Sequence, residues 1–213
     1  MSSQDRLHAK IMHLIPLALF WCNVGLSFVL LRSLVPFVIF GGILSWGYSS
    51  HAVGLKRKPL ARLVLNASGF SFLFLMGAGA RGSISGRQLL LFVFLFILFL
   101  PIEIIHNLND MRDDQQHQVY TLPLVAGVAR TLTFTGIIFA VIVLYAGFLY
   151  AIRAVTVSFV LATCAACVAL SLLLRAYFRS GGHKKGGVAI KARAKFILSV
   201  YGFLLLLIFL RGM

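Results

Sequence analysis

Acidic side chains are nearly missing from this 213-residue chain: five Asp and Glu stand against twenty Lys and Arg. Cysteine is also scarce, with three residues in all. No disulfide framework can be read from so few. Cys22, Cys164 and Cys167 all fall inside apolar runs. Cys164 and Cys167 form a C-x-x-C with no His or carboxylate close in sequence, so they read as small residues packed between helices rather than as metal or redox ligands. No phosphate-cradling G-x-x-x-x-G-K-[ST] loop is present; the basic stretch from Ser180 to Gly187 lacks that spacing and reads as a linker on lipid headgroups. Charged residues amount to 12% of the chain, hydrophobic ones to 60%, and the mean hydropathy is +0.96. Those values exclude a soluble domain.

What the chain does have is long uncharged runs. Seven approach the roughly 20 residues that cross a bilayer as a helix: about 11–31, 34–50, 63–80, 89–106, 131–152, 154–174 and 196–210. Membrane helices satisfy their own backbone, so Pro36 and Pro101 predict local kinks rather than breaks. The expectation is an all-α polytopic membrane helix bundle, one transmembrane domain over residues 1–213. The first run is too long for a cleavable signal peptide and lacks a small-residue cleavage site. With seven spans, the N-terminus and the loops at 51–62, 107–130 and 175–195 share one side. Fifteen of the twenty Lys and Arg lie there; Arg32, Arg81, Arg87, Arg153 and Arg211 lie on the other. The positive-inside rule makes the first side, with the N-terminus, cytoplasmic. The net charge of +15 is thereby explained by topology and attraction to anionic membrane lipids, with no nucleic acid needed. The membrane is a cell or inner membrane if the source is prokaryotic.

The acidic residues are not scattered. Glu103, Asp110, Asp113 and Asp114 fall within twelve positions, at the end of an apolar run. If the helix beginning near residue 89 continues, Glu103, Asn107, Asp110 and Asp114 share one face. Carboxylates at one-turn spacing repel unless a cation sits between them, and oxygen ligands suit Mg²⁺, which keeps part of its shell for water and phosphate oxygens. His106, four residues before Asp110, reads either as a partner that orients that carboxylate or as an ordinary interfacial histidine. On the same side, Lys56-Arg57-Lys58 followed by Pro59 forms a basic turn. Acids and bases facing one compartment are what a metal–diphosphate site requires. Phe92, Phe96 and Phe99 continue the acidic face upward as an apolar stripe suited to a long tail.

These residues resemble a known family. Tyr48-Ser49 with Lys56 eight positions on, then Gly54 to Leu60, resembles the Y-S-x-P-P-x-x-L-K segment of the UbiA-type intramembrane prenyltransferases. Asp110-x-x-x-Asp114 followed by Tyr120-Thr121-Leu122-Pro123 and Gly127 is similar to that family's second aspartate motif. The resemblance covers essentially the whole chain and implies Mg²⁺-dependent transfer of a prenyl group from an allylic prenyl diphosphate to an acceptor, aromatic or otherwise lipophilic. It implies that Asp110 and Asp114 are catalytic and bind Mg²⁺. It also implies that Lys56, Arg57, Tyr48, Asn107 and His106 contact substrate.

Two departures shape the expectation. Gln115-Gln116-His117-Gln118 stands where the family often has a cation and a Gly. The family's first motif, N-D-x-x-D-x-x-x-D, has no counterpart, so seven spans correspond to nine less the first hairpin. Activity is then expected when a partner chain supplies the missing motif. The alternative is a non-catalytic membrane protein that binds isoprenoid lipid or assembles with other subunits. A cation transporter fits poorly, because no carboxylate lies at mid-membrane, where such sites usually lie.

Overall fold

The computed structural model describes residues 18–29, 31–49, 55, 58–80, 82–117, 119–179 and 188–211. Among these every regular element is helical. The helices are α1 (Ala18–Val29), α2 (Val35–Ser49), α3 (Pro59–Gly79), α4 (Gly86–Asn109), α5 (Met111–Gln116), α6 (Leu122–Ala126), α7 (Val128–Ala151), α8 (Val157–Arg179) and α9 (Val188–Arg211). A helix occurs at each of the seven expected runs. Four of them, α3, α4, α7 and α8, are long and apolar enough to cross a membrane. The 24 residues of α4 span about 36 Å, more than the roughly 30 Å of a hydrocarbon core. The protein is a polytopic helix bundle of the integral membrane class.

Local sequence explains the boundaries. Pro59 opens α3 at a position whose N–H has no intrahelical partner. Ser85 caps α4 through a reciprocal box: the Gln88 N–H donates to Ser85 Oγ at 3.3 Å, and the Ser85 N–H donates to Gln88 Oε1 at 2.7 Å. Pro101 is buried within α4, which runs on through it. Gly127, at φ +82° and ψ 155°, separates α6 from α7. That backbone region is open essentially to glycine alone, so the Gly after Thr121-Leu122-Pro123 is required by the turn.

Helix α4 is the hub, packed against α3, α5, α6, α7 and α9; α7 and α9 flank α8, and α2 lies on α3. Its buried face carries Leu91, Phe94, Leu98, Ile105 and Leu108. Phe94 meets Phe159 of α8 with ring centres 4.9 Å apart, and the Tyr145 hydroxyl of α7 donates to the Leu90 carbonyl at 3.2 Å. Polar residues inside the helices are satisfied locally: Ser71, Thr135 and Thr163 each donate to the carbonyl four residues back, at 2.8 Å. Apolar side chains such as Leu73, Leu144, Leu161 and Phe196 point outward, as a lipid-facing surface demands. Cys167 is buried and Cys164 half-buried, both as free thiols.

Candidate active site

The acidic stretch does not continue as one helix. Helix α4 ends at Asn109, Asp110 takes the capping position at φ −91° and ψ 5°, and α5 restarts at Met111. The extended-face expectation for Glu103, Asn107, Asp110 and Asp114 is therefore divided at this break. Asp110 and Asp114 stay one turn apart, with the Asp114 N–H donating to the Asp110 carbonyl at 2.8 Å. Asn107 is buried at 3% exposure, where it packs inside α4. His106 faces outward, and its Nε2 lies 3.4 Å from Asp110 Oδ2.

Three elements bring further groups to Asp114. Arg62 from the first turn of α3, Asp110 and His106 act on its charge, and the Thr121 hydroxyl lies on the same side. Burial pushes the Asp114 carboxyl above the ordinary aspartate range, and the Asp110 charge adds to this; Arg62, Thr121 and His106 oppose it. The Thr121 hydroxyl is close enough to favour the carboxylate but lacks hydrogen-bond geometry. Arg62 and Thr121 are absent from the residues that sequence reasoning selected. Their signals were slight: one more cation past the basic turn, and a Thr valued only as part of a motif.

The polar atoms at this corner are unusually short of partners. Buried polar groups in folded proteins are nearly always hydrogen-bonded. Among the described residues, the buried side-chain N and O atoms without a partner belong to Arg62, Asn109, Asp114 and Thr121. All four lie where the start of α3, the end of α4, α5 and the start of α6 meet. The unpartnered set includes Asp114 Oδ2 and Asn109 Oδ1 as acceptors, and Arg62 Nε and Asn109 Nδ2 as donors. A corner holding both unmatched acceptors and unmatched donors fits a ligand that brings a cation together with an oxyanion. No three His, Cys, Asp or Glu side chains converge as a ready metal cage among the described residues.

An open cleft of about 610 Å³ leads away from this corner between α2, α3 and α4. Arg62, His106 and Glu103 stand at its polar end, and Tyr48 lines it from α2. Its apolar wall comes from Phe70, Phe72 and Met76 of α3 and Leu44 of α2. The Phe92, Phe96 and Phe99 stripe does not form this wall; Phe99 instead stacks on Phe70 at 5.0 Å and supports it from behind. Glu103 is 8% exposed and accepts a hydrogen bond from Asn66 Nδ2 of α3 at 3.0 Å. Sequence spacing grouped Glu103 with the other carboxylates, but its partner on another helix was invisible there. Lys56 and Arg57 lie outside the described residues.

No curated protein matches the chain. A solved structure described by its work on the biosynthesis of digeranylgeranylglyceryl phosphate synthase in membranes superposes with a TM-score of 0.68 at 16% identity. The match covers 90% of this chain and 66% of that one. At that identity the likeness is one of fold, and the match spans about two thirds of the other chain's length. The sequence profile of the UbiA prenyltransferase family matches residues 4–200, and the chain belongs to that family.

Proposed function

We propose that the protein takes part in Mg²⁺-dependent transfer of a prenyl group from an allylic prenyl diphosphate to a lipophilic acceptor. The observation carrying this reading is the group of unpartnered buried atoms on Arg62, Asn109, Asp114 and Thr121, of which Arg62 also lines the polar end of a largely apolar cleft. Asp110 and Asp114 would hold Mg²⁺, which when bound neutralises diphosphate charge and eases its departure. Arg62, together with Lys56 and Arg57, would grip the phosphate oxygens. His106 holds Asp110 in orientation, and Asn109 offers a donor and an acceptor beside it. Phe70, Phe72 and Met76 would pack the prenyl tail and keep water from the reacting carbon. Tyr48 would line the pocket beside the allylic end. In the reaction the allylic C–O bond breaks, the diphosphate leaves with the electron pair, and the acceptor bonds to the allylic carbon and loses a proton.

One aspartate pair is a small ligand set for a group carrying several negative charges. Further acidic ligands, supplied by a partner chain, would complete a two-sided clamp. The end of α3 bearing Arg62 and the segment bearing the Asp110–Asp114 pair face the cytoplasm in this reading, with the N-terminus, because that side collects fifteen of twenty Lys and Arg. The competing reading is a non-catalytic isoprenoid binder.

The two separate in a diphosphate-release assay. Purified protein receives geranylgeranyl diphosphate, Mg²⁺ and a lipophilic phenolic acceptor, alone and mixed with a membrane chain carrying an N-D-x-x-D motif. Release that needs Asp114, in either arm, supports the enzyme. Tight binding with no release in both arms supports the binder.

A further inference from the structure

A second groove, of about 460 Å³, lies between α7 and α8 and shares no residue with the cleft described above. Its floor includes Gly136 and Phe139 of α7 and Leu174 of α8, and Arg175 and Arg179 stand at one end. The arginines are one turn apart on α8, so both reach the same mouth. Both are exposed. No acidic residue follows Asp114 anywhere in the sequence, so α7, α8 and α9 carry no carboxylate between them. Positive-inside topology alone would place arginines at this end; it would not open a groove beneath them. Open space lies directly over Gly136, where an added Cβ would meet nothing within 4 Å. From Leu132 to Phe139 and from Ser171 to Arg179 the walls run roughly 10 and 12 Å along their helices. A groove of that length reaches much of the way into one leaflet of a core about 30 Å thick.

We propose that this groove binds an anionic glycerophospholipid, with one acyl chain lying over Gly136 and the phosphate held by Arg175 and Arg179. Charge complementarity selects the occupant: the mouth presents two permanent cations with no counter-ion on their own or neighbouring helices, and the rest of the lining is mainly apolar, with Thr133 and Ser171 the polar exceptions. Guanidinium groups match phosphate oxygens through paired donors. A peptide helix from a partner would have to bring its own carboxylates to the same mouth and would leave no use for the narrow floor.

The test is native mass spectrometry of the full chain in an uncharged detergent, titrated with dioleoyl phosphatidylglycerol or dioleoyl phosphatidylcholine. The variants are Arg175→Gln/Arg179→Gln and Gly136→Leu. Wild type should bind phosphatidylglycerol in preference to phosphatidylcholine. The double Gln variant should bind phosphatidylglycerol at least roughly tenfold more weakly, the loss expected on removing charge-assisted bonds. Gly136→Leu fills the groove, keeps both charges and should also abolish the preference. Phosphatidylglycerol binding unchanged in both variants would overturn the proposal. So would loss in the Gln variant alone, which signals general surface attraction. A Gly136→Leu change in oligomeric state with lipid binding intact would equally overturn it, by showing a protein contact in the groove.

Discussion

The Glu103–Asn66 hydrogen bond gives a sharp test of how the cleft is held. Leucine shares the branching of asparagine at Cγ, and position 66 borders an open cleft, so Asn66→Leu removes the donor while its extra volume has room to be accommodated. The buried Glu103 Oε2 then loses the partner it has at 3.0 Å, at a cost of about 1–3 kcal/mol for an unsatisfied buried polar group. Asn66 is only half-buried, so the apolar area gained by Leu offsets less than about 1 kcal/mol of this. Destabilisation should win. A net loss near 2 kcal/mol corresponds to a fall in Tm of roughly 4–8 °C for a chain of this size. Glu103→Gln retains an acceptor toward Asn66 and should cost clearly less. In the double variant Asn66→Leu/Glu103→Leu both polar groups vanish together. The cycle should return a coupling of about 0.6–1.7 kcal/mol, the range found between membrane helices. The assay is thermal unfolding of purified protein in one detergent, followed by intrinsic tryptophan fluorescence. An Asn66→Leu protein as stable as wild type, or single effects that add within about 0.3 kcal/mol, would refute the pairing.

Further predictions concern the site and its frame. Because burial raises the Asp114 carboxyl pKa, its proton competes with Mg²⁺ at a higher pH than for an ordinary aspartate. Mg²⁺ affinity measured by calorimetry should therefore fall as pH drops through that raised value, and Asp114→Asn should flatten the profile. The linkage to folding has the opposite sign: a raised acid pKa contributes stability below the unfolded value, and this is lost as pH rises through the folded one. Metal-free protein should lose Tm with pH across that window, and Mg²⁺ should restore it. Arg62→Gln removes a charge that lowers the Asp114 pKa, so the pH midpoint of Mg²⁺ binding should move upward. At Gly69, which lines the cleft, an added Cβ meets nothing within 4 Å; Gly69→Leu should weaken binding of a geranylgeranyl diphosphate analogue more than that of a dimethylallyl one. Gly127→Ala forces a Cβ onto φ +82° and should cost about 1–3 kcal/mol, seen as a lower Tm.

The fold was largely legible because its signals are local and strong. Uncharged runs located a helix at each of the seven expected stretches, and Pro59 was legible as a fixed turn; the Ser85–Gln88 capping box, equally local, went unread. The site was legible as far as its chemistry lies in one stretch: Asp110, Asp114 and His106 do come together. What sequence spacing missed depends on other helices. The break at Asp110 turns on backbone geometry that no single residue type enforces. Arg62 reaches Asp114 from α3, Asn66 reaches Glu103 across 37 positions, and the apolar wall comes from Phe70 and Phe72 rather than the α4 stripe. Pairwise distance between helices does not appear in a one-dimensional pattern.

The most direct test of the central claim is binding of a non-hydrolysable prenyl diphosphate analogue to purified protein, with and without Mg²⁺. Wild type is compared with Asp110→Asn/Asp114→Asn. Binding that requires Mg²⁺ and disappears in the double variant is the predicted result. Binding that is absent in wild type, or that ignores both the metal and the substitution, would contradict the assignment of this corner as a diphosphate site.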